Sequence, residues 1–343
     1  MVSVIVAASN EAETIEAALE SILRLKYPAL EIIAVDDRSL DATGDILDRI
    51  AGQDPRLHVL HITELPDGWL GKVHAMEQGR RRSSGEWLLF TDADVHFAPG
   101  CIQRAISLAE NRNLDHLAAL PQLLPRTFWL HVVQGLFGLF FLLGTRAQRG
   151  ENTDLDSYIG VGGFNLVRRR TLERSPGLEW LKLEIADDVG LGFMLKRSGA
   201  RGLLAFGLGC LAVQWYPTLG AMSRGLEKNA FAVFGYSWIR VLKICGSMCV
   251  VFLSPFVLFF PAPQIWQLAI IGFYLVSMIW IGELLRRHVG LWWLSSLFLY
   301  LAWPILIWTL LRSAWKTTRA SGVEWRGTFY SLDRLKEGRR LDI

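Results

Sequence analysis

The chain has 343 residues, of which 51% are hydrophobic and 20% charged, with a formal net charge of +3. That length accommodates one sizeable α/β domain and something further, while so modest a charge excludes a dedicated nucleic-acid binder. Cys101, Cys210, Cys245 and Cys249 show no C-x-x-C pairing and no histidine cluster, so neither a disulfide framework nor a zinc site is expected.

The opening stretch MVSVIVAASNEAETI lacks the basic start and long apolar run of a cleavable signal, and the N-terminal domain is expected in the cytosol. Short apolar runs at 2–8, 31–37, 57–62, 86–92 and 114–120 have strand length and aliphatic or β-branched character. Between them lie helical stripes, Ile15, Ala18, Leu19, Ile22 and Leu23, then Ile46, Leu47 and Ile50. This alternation predicts a Rossmann-like α/β domain, a mostly parallel sheet covered by helices on both faces. Ligands of such sheets sit at the carboxyl ends of the strands. The polar residues fall there: Asn10 and Glu11 after the first run, Asp36 and Asp37 after the second, Asp92 and Asp94 after the fourth.

Farther along, 127–144 is apolar, and from Ile244 to Leu311 only Glu283, Arg286, Arg287 and His288 interrupt aliphatic and aromatic residues. Three blocks, at about 244–261, 264–285 and 290–312, each approach the ~20 residues that cross a hydrocarbon core. Pro255, Pro261 and Pro263 flank or break the first, and Pro304 breaks the third. Basic residues gather at Arg240, Lys243, Arg286, Arg287 and throughout the tail, favouring the cytoplasmic side. Three crossings from inside would leave that tail outside, so one block is expected not to cross.

Acidic clusters converging on one sheet edge repel one another, by ~4 kcal/mol for two charges 4 Å apart at an effective dielectric of 20. A divalent cation answers this, and Mg²⁺ is typically held by one or two carboxylates together with substrate phosphates. Alone, Asp92 and Asp94 would equally suit ordinary turn chemistry after a strand.

Six segments change that balance: VSVIVAASNEAETI, AVDDRSLDAT, GWLGKVHAMEQG, LLFTDADV, GVGGFNLVRR and ADDVGLGFMLKRSGAR. In order and spacing the chain resembles the family 2 glycosyltransferases, specifically the membrane-bound branch of ceramide glucosyltransferase-like and hopanoid- or carotenoid-associated enzymes. The resemblance implies an A-type nucleotide-sugar fold over 1–240, a membrane domain over 241–315 and a basic tail over 316–343. It implies an inverting, non-processive transfer from a nucleotide-sugar, expected to be a UDP-sugar, to a lipid hydroxyl at the cell membrane.

By the same resemblance Asn10 and Glu11 meet the nucleoside, Asp36 or Asp37 reads the base, and Lys72 lies near the phosphates. Asp92 touches ribose or metal, and Asp94 holds the Mg²⁺ or Mn²⁺. Asp187 and Asp188 stand where the family has Glu-Asp, with Asp188 as the base; both also suit a helix N-terminus. Gly162 and Gly163 would permit close backbone approach.

One departure is the Q-x-x-R-W motif, replaced at 224–231 by RGLEKNAF, which leaves open whether Arg224, Glu227 or Lys228 substitutes. The tail segment VEWRGTFYSL could bring Trp325, Arg326 and Tyr330 back to the site, and an interfacial helix at 127–148 would line the path of a lipid acceptor. The alternatives are a haloacid dehalogenase-like phosphatase, whose motif belongs on a first strand, and an inactive membrane scaffold.

Overall fold

The computed structural model describes residues 1–146 and 159–341. Strands β1 (Val2–Ala8), β2 (Leu30–Asp37), β3 (Leu57–Ile62) and β4 (Trp87–Asp92) are the first four apolar runs, and all pair in parallel. The remaining strands of the soluble part are β5 (Val95–Phe97), β6 (His116–Leu120), β7 (Gln122–Leu123), β8 (Asn165–Arg168), β9 (Gly202–Phe206) and β10 (Leu211–Val213). The main sheet has the order β3-β2-β1-β4-β8-β6-β9, with only β8 reversed against its neighbours. The expected mostly parallel sheet is present, and β5, β10 and β7 form a small second sheet beside it.

Helices α1 (Ile15–Leu23), α2 (Thr43–Ala51), α3 (Gly71–Arg82), α4 (Cys101–Asn111), α5 (Phe128–Thr145), α6 (Arg169–Arg174), α7 (Asp187–Arg197) and α8 (Leu219–Val233) complete this part. Side chains alternate across a strand, so the sheet buries two faces. Val4, Val6, Ile32 and Leu89 meet Ile15, Leu19, Ile22 and Leu47 on one side. Ile5, Ile33, Val35, Leu88 and Phe90 meet Leu70, Val73, Leu191 and Leu195 on the other.

That second core also contains Cys245, Leu310, Ala314, Val323 and Tyr330, which come from the C-terminal third: α9 (Trp238–Phe259), α10 (Gln264–Val289), α11 (Trp303–Ala320), a hairpin of β11 (Gly322–Trp325) and β12 (Thr328–Ser331), and α12 (Leu332–Gly338). Helices α5, α9 and α10 are long and apolar enough to cross a membrane. The third apolar block is broken: a 3-10 segment, Trp293–Leu301, meets α11 at a 59° bend. Pro304 sits in the first turn of α11, where its missing N–H costs nothing and its fixed φ starts a helix. Pro255, by contrast, lies inside α9 without ending it.

Helix α5 packs its Leu130, Val133 and Leu136 against Leu285, Leu291 and Leu299, and leaves Trp129 and Leu143 exposed. The last two residues of the 127–148 expectation lie outside the described residues.

Candidate active site

The loops after β1 and β2 are tied to each other. Asn10 adopts a left-handed backbone, φ 55°, and its Oδ1 accepts from the Leu40 amide, while Ser9 Oγ donates to the Asp37 carbonyl. Asn10 therefore shapes the loop and does not line the cavity described below; Glu11 does.

Asp36 and Asp37, adjacent on a strand, point to opposite faces. The Asp36 carboxylate lies 3.0 Å from His61 Nδ1, outside the cavity. Asp37 lines it, accepting from Arg38 Nε at 2.8 Å. Gly71 starts α3 so close to Asp37 that a Cβ there would lie 2.2 Å from its Oδ2.

At the second residue of α3, Lys72 Nζ reaches Asp92 Oδ1 at 2.8 Å and Asp187 Oδ2 at 3.2 Å. Burial works against its charge, yet the carboxylates of Asp187, Asp92 and Asp188 hold the ammonium well above the usual lysine range. Asp94 is pushed up to about 7 by burial, then by Asp92 and Glu11. Asp188 is pushed up to about 6 by burial, then by Asp187. Burial also raises Asp187, against the pull of Lys72. Negative groups thus outnumber the cations that touch them, and the surplus lies at Asp94.

A divalent ion fits that surplus. Among the described residues no three His, Cys, Asp or Glu side chains converge as a complete metal site, so Asp92 and Asp94 would need phosphate or water oxygens to finish the coordination.

Asp187 and Asp188 form the first turn of α7, where the helix dipole favours a carboxylate. Asp188 Oδ2 accepts from the Gly162 amide at 2.9 Å and Oδ1 from the Val189 amide at 2.8 Å. A Cβ on Gly162 would lie 2.6 Å from Asp92 Oδ2, so this glycine lets the backbone pass between the two carboxylates. Gly163 faces Val95 and Pro121. Sequence reasoning missed a tighter pair: a Cβ would fall 1.9 Å from the Asp188 carbonyl oxygen at Gly160 and 1.5 Å from the Ile159 carbonyl oxygen at Gly192. These two glycines let the strand-side loop press against α7; their signal was the run of glycines in GVGG and VGLG.

The tail does return. The Arg326 guanidinium donates to the Ser9 carbonyl and to the Glu11 carboxylate, and Arg38 Nη1 donates to Thr328 Oγ1 at 3.0 Å. Lys228 Nζ sits 3.8 Å from the centre of the Trp325 ring. Glu227, one residue earlier, lies 2.5 Å from Arg312 and 2.6 Å from Lys316, which fastens α8 to α11.

One cavity of about 1820 Å³ brings together the acidic cluster, Lys72, Lys228, Trp325 and Arg326. Glu11, Asp37, Lys72, Asp92, Asp94, Asp187 and Asp188 line one part of it, while Phe137, Phe141, Leu226, Met248, Leu285 and Leu306 line another. Chemically, it sets buried carboxylates, an acidic pair with surplus negative charge and an apolar passage in continuity.

The family described as "Glycosyl transferase family 2" matches residues 3–175. A beta-monoglucosyldiacylglycerol synthase from Nostoc sp. is 27% identical over 256 residues, 71% of this chain and 51% of that protein; the chain spans about half the length of the curated relatives it matches. A poly-beta-1,6-N-acetyl-D-glucosamine synthase from Staphylococcus epidermidis is 34% identical over 95 residues, 27% of this chain and 22% of that protein. In fold, the chain is similar to a Pyrobaculum calidifontis mannosyltransferase solved with GDP-Man and Mn²⁺, with a TM-score of 0.50 and 20% identity over 94% of this chain and 76% of that one.

Proposed function

The chain belongs to glycosyl transferase family 2, and from that premise we propose that it transfers one sugar, with inversion, from a UDP-sugar to a hydroxyl of a membrane lipid. The observation that carries this reading is the continuity of the acidic cluster with an apolar passage between α5, α8, α10 and α11. A relative named for a glucosyldiacylglycerol product supports a lipid acceptor.

In this reading Asp188 accepts the acceptor hydroxyl proton as its oxygen attacks the anomeric carbon and the carbon–oxygen bond to the diphosphate breaks. The two amides that fix Asp188 aim its carboxylate, and Asp187 holds Lys72 in place beside it. Asp94 and Asp92 would hold Mg²⁺ or Mn²⁺, which supplies positive charge for the departing diphosphate. The base-reading role falls to Asp37, since Asp36 is turned to His61. Glu11 stays at the nucleoside side of the cavity, and Asn10 acts through the loop it shapes.

The membrane arrangement follows from the returning tail. With Arg326 at Ser9 and Glu11, an even number of crossings must separate it from the catalytic part. We assign those to α9 and α10, leave the bent 3-10 and α11 pair on the catalytic side, and lay α5 along the interface. The protein is then a multi-pass protein of the cell membrane with its site in the cytosol. The phosphatase alternative has no support, because the D-x-D pair follows the fourth strand in a chain of a transferase family.

Membranes carrying the protein, given UDP-sugars and analysed by mass spectrometry, are expected to yield a glycolipid whose anomeric configuration is opposite to the donor's. Retention of configuration, or full activity in both Asp94→Ala and Asp188→Asn, would refute the assigned mechanism; absence of any transfer would favour the inactive scaffold.

A further inference from the structure

Among the cations that border the cavity outside the Lys72 network are Lys228 and Arg326. Lys228 is half-buried on α8, and its ammonium has the Trp325 ring as neighbour but no salt bridge among the described residues. The acidic residue beside it, Glu227, is committed to Arg312 and Lys316. Burial, then Lys72 and Arg326, lower Lys228 to about 8, so it is still mostly charged at neutral pH. A desolvated ammonium whose direct neighbour is a ring face, with only the longer-range pull of Asp187 and Asp92 in its favour, is poorly compensated.

Arg326 comes from the turn of the C-terminal hairpin, in a left-handed conformation with φ 50°. Glu11 and the Ser9 carbonyl hold its guanidinium at the edge of the same cavity. Because Trp325 and Arg326 are consecutive, the hairpin fixes both cations at once, one through its ring and one directly. Two cations of this kind, one a compact point charge and one a planar fork, suit the oxygens of a phosphate group.

We propose that Lys228 and Arg326 form the subsite for the sugar-side phosphate of the donor, so that a segment lying beyond the apolar helices completes the nucleotide-sugar site. This rests on the donor reading above. It assigns Trp325 as the positioning residue for Lys228, and Glu11 as the group that parks Arg326 when no diphosphate is bound.

The test is titration of the full-length protein in detergent with UDP and UMP, and with GDP and GMP, by calorimetry. Lys228→Met and Arg326→Met are each expected to weaken the diphosphate by about 10- to 100-fold, the worth of a charged hydrogen bond. The monophosphate, lacking the outer phosphate, should weaken by less than about threefold. Lys228→Arg and Arg326→Lys should recover most of the lost affinity, and they preserve the fold if the methionine variants do not. Equal losses for diphosphate and monophosphate, or no loss for either, would overturn the subsite while leaving the donor reading intact. Failure of the unaltered protein to bind any of the four nucleotides would overturn both.

Discussion

The first 120 residues and those after them build opposite walls of one cavity by different means. The first wall is made of parallel strands and the loops that leave them, with partners a strand or two away: Ser9 with Asp37, Asn10 with Leu40, Lys72 with Asp92. The second wall is made of helices and a hairpin that arrive from far along the chain, such as Arg326 on Ser9 with a sequence separation of 317. The family match, residues 3–175, covers the first wall and stops before Asp187. The part covered by the family match is thus the early strands and their loops, while Asp187, Asp188 and the returning hairpin lie beyond it.

The comparison can be broken at several points. The largest effect is expected at Asp188→Asn, a loss of transfer of about 10²- to 10⁴-fold with UDP affinity unchanged, read from initial rates beside nucleotide titration. A parallel loss of UDP affinity would mean that the two walls are not separable. Asp94→Ala comes next, about 10²-fold slower if a preorganised charge is lost, and without the rate gain that Mn²⁺ or Mg²⁺ is expected to give the unaltered enzyme. Gly162→Ala is expected to slow transfer by about tenfold, because its methyl would press on the Asp92 carboxylate; an unchanged rate would show that Asp92 has room to move.

pH offers a finer probe. Asp188, held at about 6 by burial and Asp187, is protonated below that value and cannot then accept a proton. The acid limb of kcat/KM should therefore fall about tenfold per pH unit below its midpoint near 6. In Asp188→Asn the residual rate should lose that limb. The smallest effect is expected at Arg334→Ala, which removes an exposed ion pair with Asp67; such pairs contribute little, and neither melting temperature nor rate should change measurably.

The two walls also differ in how readily the sequence reveals them. The runs at β1, β2 and β4 are buried on both faces and read as continuous apolar segments, while β3 is a half-exposed edge strand; all four fall within a residue of the expected bounds. The start of α7 at Asp187 was legible from two carboxylates before an apolar stretch. Strand β8 was not, because NLVR is only four residues long and buries Asn165 and Arg168. Asn165 is buried because its Oδ1 meets His116 Nε2 at 2.8 Å, a pairing with no local signature. The separation of Asp36 from Asp37 was implicit in strand alternation and went unused. The hairpin's position was foreshadowed by its composition alone; nothing local dictates that Trp325 should meet Lys228 or Arg326 should meet Glu11.

The hairpin's long reach has a consequence for how the protein is made. The sheet is synthesised before the apolar helices, but Arg326 reaches Ser9 only after those helices have been made and the chain has turned back. A shortened product ending anywhere between residues 240 and 320 would lack Val323, Tyr330 and Arg326, and with them part of the second core as well as one wall of the cavity. Completion of the cavity in this sense waits on the last hairpin, and a chain without it lacks the contacts that Arg326 makes at Ser9 and Glu11.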